Sequence, residues 1–164
     1  MRAWTGCLQA LMSQRVITEA RIFDAMQSVD RMNFCQNRQE ELCYRDAPQR
    51  IGWGITISAP HMHARALEEL SAKLQPGCRI LDVGSGSGYL TAAMATLVGP
   101  TGICVGIDHI EELVRWSRDN VVRDGKQALL DSGQLELHVQ DGFKGFSEKG
   151  PYDAIHVGAA PASI

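Results

Sequence analysis

The chain has 164 residues, 45% of them hydrophobic, and a formal charge of −3 at pH 7; that suits one domain with a core of its own, and its scattered Lys and Arg offer no basic face for nucleic acid. Five cysteines, at 7, 35, 43, 78 and 104, form no C-x-x-C pair, which favours free thiols in a reducing compartment over disulfides or a zinc site. No apolar run approaches the roughly 18 residues that span a membrane and the N-terminus lacks the apolar core of a leader peptide, so the expected location is the cytosol.

Gly6 to Phe34 reads as helical in two stretches, the first carrying Leu8, Leu11 and Met12 and the second Ile22, Phe23, Met26 and Val29, with Thr18 as the expected cap between them. From Cys35 to Ile57 the periodicity disappears, and Pro48, Gly52 and Gly54 mark a long irregular loop of the kind that often carries function. A helix starts near Pro60, buries a stripe of Met62, Ala66, Leu67, Leu70 and Leu74, and stops at Pro76-Gly77.

Strands and helices then alternate, which predicts a parallel sheet with helices on its faces. The strands are Arg79–Val83, Ile103–Ile107, Leu135–Val139 and Ala154–Val157; helices fall at Tyr89–Val98 and from Glu111 to about Arg123. Right-handed crossovers give these four strands the spatial order 3-2-1-4, with the last as an edge. The expected organisation is one domain over 1–164, with N-terminal helices and a binding loop in 1–57 and a Rossmann-like core in 58–164.

Ile80-Leu81-Asp82-Val83-Gly84-Ser85-Gly86-Ser87-Gly88 runs from a buried strand through a glycine turn into a helix, the arrangement by which α/β proteins hold a nucleoside cofactor. A dinucleotide fingerprint needs G-x-G-x-x-G, but Tyr89 stands where the last glycine belongs and the spacing is G-x-G-x-G, which counts against NAD. Asp82, two places before the first glycine, could face a cationic or hydroxylated ligand, and the whole segment resembles motif I of S-adenosylmethionine-dependent methyltransferases. Asp108, twenty residues after Gly88 at the end of the second strand, can bind the two hydroxyls of a ribose, or cap the helix that follows. Asp141-Gly142 sits after the third strand, where a carboxylate would hold an adenine amine; alone it is an ordinary turn signal.

Thr56-Ile57-Ser58-Ala59-Pro60-His61-Met62-His63 joins the long loop to the helix before the sheet. Read plainly, Ser58 is a helix cap and the histidines are first-turn polar residues that point apart, with no metal between them. No G-x-S-x-G elbow is present, so a functional Ser58 would be a donor and not a nucleophile.

Taken together, Ile51-Gly52-Trp53, Thr56 to Ala64, Leu81 to Gly88, Gly106-Ile107-Asp108-His109 and Pro151-Tyr152-Asp153-Ala154-Ile155-His156-Val157-Gly158-Ala159-Ala160 resemble the protein-L-isoaspartate (D-aspartate) O-methyltransferases. The resemblance covers nearly all of residues 8 to 160, and the stretch from Asp124 to Gly133 is similar to the eukaryotic type. Arg50 and Gly54 depart from the family's smaller or polar residues.

The resemblance implies a Rossmann-like S-adenosylmethionine-dependent methyltransferase fold, doubly wound around a mostly parallel sheet. It implies a repair enzyme that methylates the free α-carboxylate of L-isoaspartyl residues in damaged proteins, with D-aspartyl residues a further candidate substrate, acting as a monomer when full length. Ser58 matches the family's active-site serine; Ile55, Thr56, Ile57, Ser58, His63, Asp82, Gly84, Gly86, Ser87, Asp108, His109, Asp141 and Gly142 match the glycine turn and cofactor contacts. Family chains continue past Gly158-Ala159-Ala160 into another helix and further strands, so a truncated form, weak or inactive by itself, is expected. The alternatives are an adaptor that binds without chemistry and another S-adenosylmethionine-dependent carboxyl methyltransferase. A methyltransferase for exocyclic base amines is disfavoured, because His156-Val157-Gly158-Ala159 replaces the Asn/Asp-Pro-Pro-aromatic turn.

Overall fold

A computed structural model describes residues 2–159; the expectations for Ala160 to Ile164 lie outside the described residues. The N-terminal layer holds α1 (Arg2–Ser13), α2 (Ala20–Ser28), a 3-10 turn at Arg31–Phe34 and the short α3 (Glu40–Cys43). Thr18 does not cap α2: Glu19 occupies the cap position, and Thr18 instead gives its N–H and hydroxyl to Glu68, at 2.7 and 2.6 Å.

The segment read as an irregular loop contains α3 and a hairpin of β1 (Gln49–Gly52) and β2 (Ile55–Ile57), antiparallel with Arg50 opposite Thr56. Such short strands give almost no periodic signal. Trp53 and Gly54 form the turn, both at positive φ (50° and 73°), as tight two-residue hairpin turns favour. The Trp53 ring leans on Trp116, with centroids 6.1 Å apart.

Helix α4 (Pro60–Leu70) begins with Pro60 in its first turn, where a missing N–H costs nothing. Its buried face is Pro60, His63, Ala64 and Leu67; Met62, expected inside, is 48% exposed. The apolar stripe is therefore one position out of phase with the sequence reading at its start, because the first turn faces a cleft and not the core.

The sheet core follows the predicted alternation: β3 (Arg79–Val83), α5 (Tyr89–Val98), β4 (Ile103–Asp108), α6 (Glu111–Arg123), an extra short α7 (Gln127–Asp131), β5 (Leu135–Val139) and β6 (Ala154–Val157). The strand order is β5-β4-β3-β6, parallel throughout, which is the 3-2-1-4 order expected. Strands β3 and β4 are buried along nearly their whole length, as central parallel strands with both faces covered must be. Helix α5 is apolar almost all round because it lies between the sheet and the N-terminal helices. The opposite sheet face, with Leu81, Val83, Val105 and Ile107, packs with Phe146 and Tyr152 from the β5–β6 connection. No helix among the described residues is long and apolar enough to cross a membrane.

The N-terminal layer is tied down at its edges. Asp124, at the end of α6, accepts the Asp30 N–H at 3.0 Å and the Asn33 amide at 2.9 Å. Arg21 donates to the carbonyls of Leu74 and Ser71 beyond α4.

Candidate active site

Strand β3 feeds β4 on one side and receives β6 on the other, so the crevice outside their carboxyl ends is the topological switch point where open α/β sheets bind ligands. A cavity of about 590 Å³ lies there. Its walls come from Gly54–Ser58 of the hairpin, Met62 and His63 of α4, the 82–87 turn, Leu90, Ile107–His109, and the ends of the β5 and β6 segments.

Two glycines of the turn are required by geometry. Gly84 sits at φ 80°, and a Cβ there would lie 2.8 Å from the Ala159 nitrogen. Gly88, at φ 83°, is the N-cap of α5, and its Cβ would press on Ser117 at 3.3 Å. Both conformations favour a residue without Cβ.

The Asp108 carboxylate is 6% exposed and accepts the Gly86 N–H at 3.2 Å and the Ile110 N–H at 3.3 Å. It is not the cap of α6, whose N-cap is Ile110; it fixes the glycine turn from the neighbouring strand and keeps lone pairs for a ligand. His109 is exposed beside it, with Nδ1 3.4 Å from the Asp108 carboxylate.

Ser58 is half-buried on the cavity wall, and its hydroxyl has no protein partner among the described residues. The cap reading fails here too, since Ala59 is the N-cap of α4 and no side chain caps it. Ser58 lies in the two-residue link between the end of β2 at Ile57 and the start of α4 at Pro60, which borders the cavity.

Asp82 is 1% exposed and both its oxygens have partners: the Thr91 hydroxyl donates at 2.6 Å, and His156 Nδ1 lies 2.8 Å away. The expectation that it faces a ligand is thus only half met. It lines the cavity, but its charge is directed at two neighbouring side chains. Burial lowers the His156 pKa, yet the hydrogen bond and the charge of Asp82 outweigh it, so the net shift is upward from 6.5.

The structure gathers Ile55, Thr56, Ile57, Ser58, His63, Asp82, Gly84, Gly86, Ser87, Asp108, His109 and Gly142 around this one cavity. Asp141 is the exception: its carboxylate accepts the Phe143 N–H at 3.0 Å and caps a 3-10 turn. The sequence reading missed His156, Ser85, Gln140 and Met62, which also line the cavity. Ser85 is the sharper omission. Its hydroxyl is buried without a hydrogen-bond partner, while that of Ser87 accepts the Tyr89 N–H at 3.3 Å; nothing in a G-x-G-x-G string says which serine turns inward.

Comparison with known proteins is consistent with this geometry. The chain is 46% identical over 157 residues to protein-L-isoaspartate O-methyltransferase 1 of Arabidopsis thaliana, covering 96% of this chain and 67% of the relative. It is 50% identical over 149 residues to the protein-L-isoaspartate O-methyltransferase of Triticum aestivum, covering 91% of this chain and 64% of the relative. The chain thus spans about two thirds of the length of these relatives. A beta-aspartate methyltransferase (PCMT) from Plasmodium falciparum, solved in complex with S-adenosyl-L-homocysteine, superimposes with a TM-score of 0.87 at 34% identity, over 98% of this chain and 75% of that one. Residues 5–164 match the model of the protein-L-isoaspartate(D-aspartate) O-methyltransferase family, and the chain belongs to that family.

Proposed function

We propose that this chain is a cytosolic, single-domain protein repair methyltransferase, monomeric in its full-length form, that uses S-adenosyl-L-methionine to methylate the free α-carboxylate of isoaspartyl residues in damaged proteins and peptides. The observation that carries the reading is Ser58: an unengaged hydroxyl on the wall of the same cavity that holds the glycine turn and Asp108. The five cysteines are free thiols, in keeping with a reducing compartment.

The residues present fit the cofactor. The orphaned Ser85 hydroxyl calls for a polar ligand group, Leu90 and Ile107 offer apolar wall for a base, and the Asp108 carboxylate suits a pair of ribose hydroxyls. When bound, S-adenosyl-L-methionine supplies an electrophilic methyl group on a sulfonium.

The substrate needs no base. A carboxylate with a reference pKa near 4 is ionised at pH 7, so alignment does the work, and holding two reactants in attack geometry can contribute roughly 7–11 kcal/mol. Ser58 orients the carboxylate by donating a hydrogen bond, and the hairpin places Ser58 at the cavity. The roles of Ile55 to Ile57, His109 and Gly142 are to wall the cofactor.

The test is methyl transfer from labelled S-adenosyl-L-methionine to two peptides identical except for one aspartyl or isoaspartyl linkage. Base-labile label on the isoaspartyl peptide alone is the expected result. Label on both overturns the substrate assignment; label on neither while S-adenosyl-L-homocysteine still binds overturns turnover by this chain and leaves the adaptor that binds without chemistry.

A further inference from the structure

Arg31 is a cation buried without a counterion. It is 0% exposed, and among the described residues no carboxylate pairs with it. Its Nε donates to the Cys43 carbonyl at 2.8 Å and its Nη2 to the Ala47 carbonyl at 3.4 Å. The remaining arm, Nη1, meets His63 Nδ1 at 3.5 Å, and the guanidinium carbon stands 6.0 Å from the centre of the Tyr89 ring. Desolvating a charge this far is expensive unless its donors are used, and the fold spends one of them on a histidine.

Guanidinium can only donate, so the His63 nitrogen facing it must be the bare acceptor, and the proton of the neutral ring belongs to Nε2. Tyr89 holds the ring plane by stacking, centroids 4.8 Å apart and 29° between planes. His63 lines the cavity, and its Nε2 has no protein partner among the described residues. We infer that Arg31 is a positioning residue: it locks His63 in the neutral Nε2–H tautomer and so presents one uncharged donor to the cofactor cavity. This rests on the function proposed above, where the ligand carries a sulfonium. An imidazolium at that wall would repel a sulfonium, whereas a neutral N–H can serve an acceptor of the same ligand.

The titratable and charged groups facing His63 are Arg31, Tyr89 from α5, His156 from β6 and His61 from its own helix. Burial first, then the charge of Arg31 and the two histidines, holds the His63 pKa well below 6.5, in keeping with a ring neutral at all working pH.

The experiment is two-bond 1H–15N correlation NMR of the histidine rings in the full chain, from pH 5.5 to 8, with calorimetric binding of S-adenosyl-L-methionine and S-adenosyl-L-homocysteine. His63 should show the Nε2–H pattern throughout, with no titration. In Arg31→Met the fixed Nε2–H pattern should give way to a mixture of tautomers and the pKa should move upward, burial still opposing the charge, so the preference for the uncharged thioether over the sulfonium should be about threefold larger at pH 6 than at pH 8. An Nδ1–H or protonated His63 in the wild-type chain overturns the inference, even if Arg31→Met fails to fold. A folded Arg31→Met whose His63 signals and binding ratio match wild type overturns it as well. If wild type binds neither ligand, the cofactor reading fails while the tautomer result still stands on its own.

Discussion

Asp82 and His156 lie directly opposite each other on adjacent parallel strands, and their side chains meet at 2.8 Å in the wall of the cavity. This pair, with Thr91 on the second carboxylate oxygen, joins β3, β6 and α5 at one buried point. Asp82→Asn keeps the size and removes the charge. It should cost about 1.5–3 kcal/mol, the worth of hydrogen bonds to a charged group, and return the His156 pKa toward or below its ordinary value. Urea unfolding together with the His156 proton titration checks both; an unchanged midpoint would show that Asp82 is no anchor.

Two of the cavity histidines, His63 and His156, make opposite contributions to stability. His63 takes a proton near 6.5 when unfolded and well below that when folded, since burial and then Arg31 oppose its charge. Its contribution is present above about 6.5 and lost as pH falls from there toward its folded value, with a slope of at most about 1.4 kcal/mol per pH unit. His156 has its folded pKa raised, so its contribution is present below 6.5 and fades as pH rises through that folded value. Unfolding midpoints should therefore drop from pH 6.5 to 5, and His63→Gln should flatten that acid limb. A limb unaltered by the substitution would assign the loss to other groups.

Ser58→Ala should lower turnover on an isoaspartyl peptide by roughly 10- to 100-fold, the effect of one lost hydrogen bond to a charged group, and leave S-adenosyl-L-homocysteine affinity within about twofold, a change of under 0.5 kcal/mol. Steady-state kinetics and calorimetry on the same preparation separate the two. Equal losses in both would make Ser58 a cofactor ligand and not a substrate-orienting group.

Gly106 lies in the middle of β4, and a Cβ there would meet Leu137 Cδ2 at 2.7 Å, Ser85 Cβ at 2.8 Å and Thr91 Cγ2 at 3.0 Å. Gly106→Ala should destabilise by about 1–3 kcal/mol through overpacking, and through Ser85 it should also weaken ligand binding. Gly125→Ala, with nothing within 4 Å but φ at +72°, serves as the control: it should cost about 1 kcal/mol of backbone strain with binding intact.

The core strands and their helices were legible because their apolar runs are bounded by Gly, Pro and Asp, and because crossovers have one hand. The glycine turn and Asp108 were legible from their order along the chain, whereas Ser58, read plainly as a cap, was singled out only by the family resemblance. The rest depended on contacts across many residues. Arg31 reads as any surface arginine until the N-terminal layer closes over it. His156 looks like one more residue of a strand until the register sets it against Asp82. Met62 follows the helical period yet faces the cleft, because the first turn of α4 overhangs the sheet's carboxyl edge. The hairpin's strands, four and three residues long, are too short for alternation to be seen.

Hairpin, glycine turn and the tail of β6 all border one cavity although they are spread over about a hundred residues of chain. Anything that fills the cavity therefore staples together regions that would otherwise separate early in melting. A ligand at a hundred times its dissociation constant adds about 2.7 kcal/mol to the folded state, so the melting temperature itself reports occupancy. A simple thermal scan thereby becomes a way to rank nucleosides, thioethers and sulfonium compounds without any turnover being required.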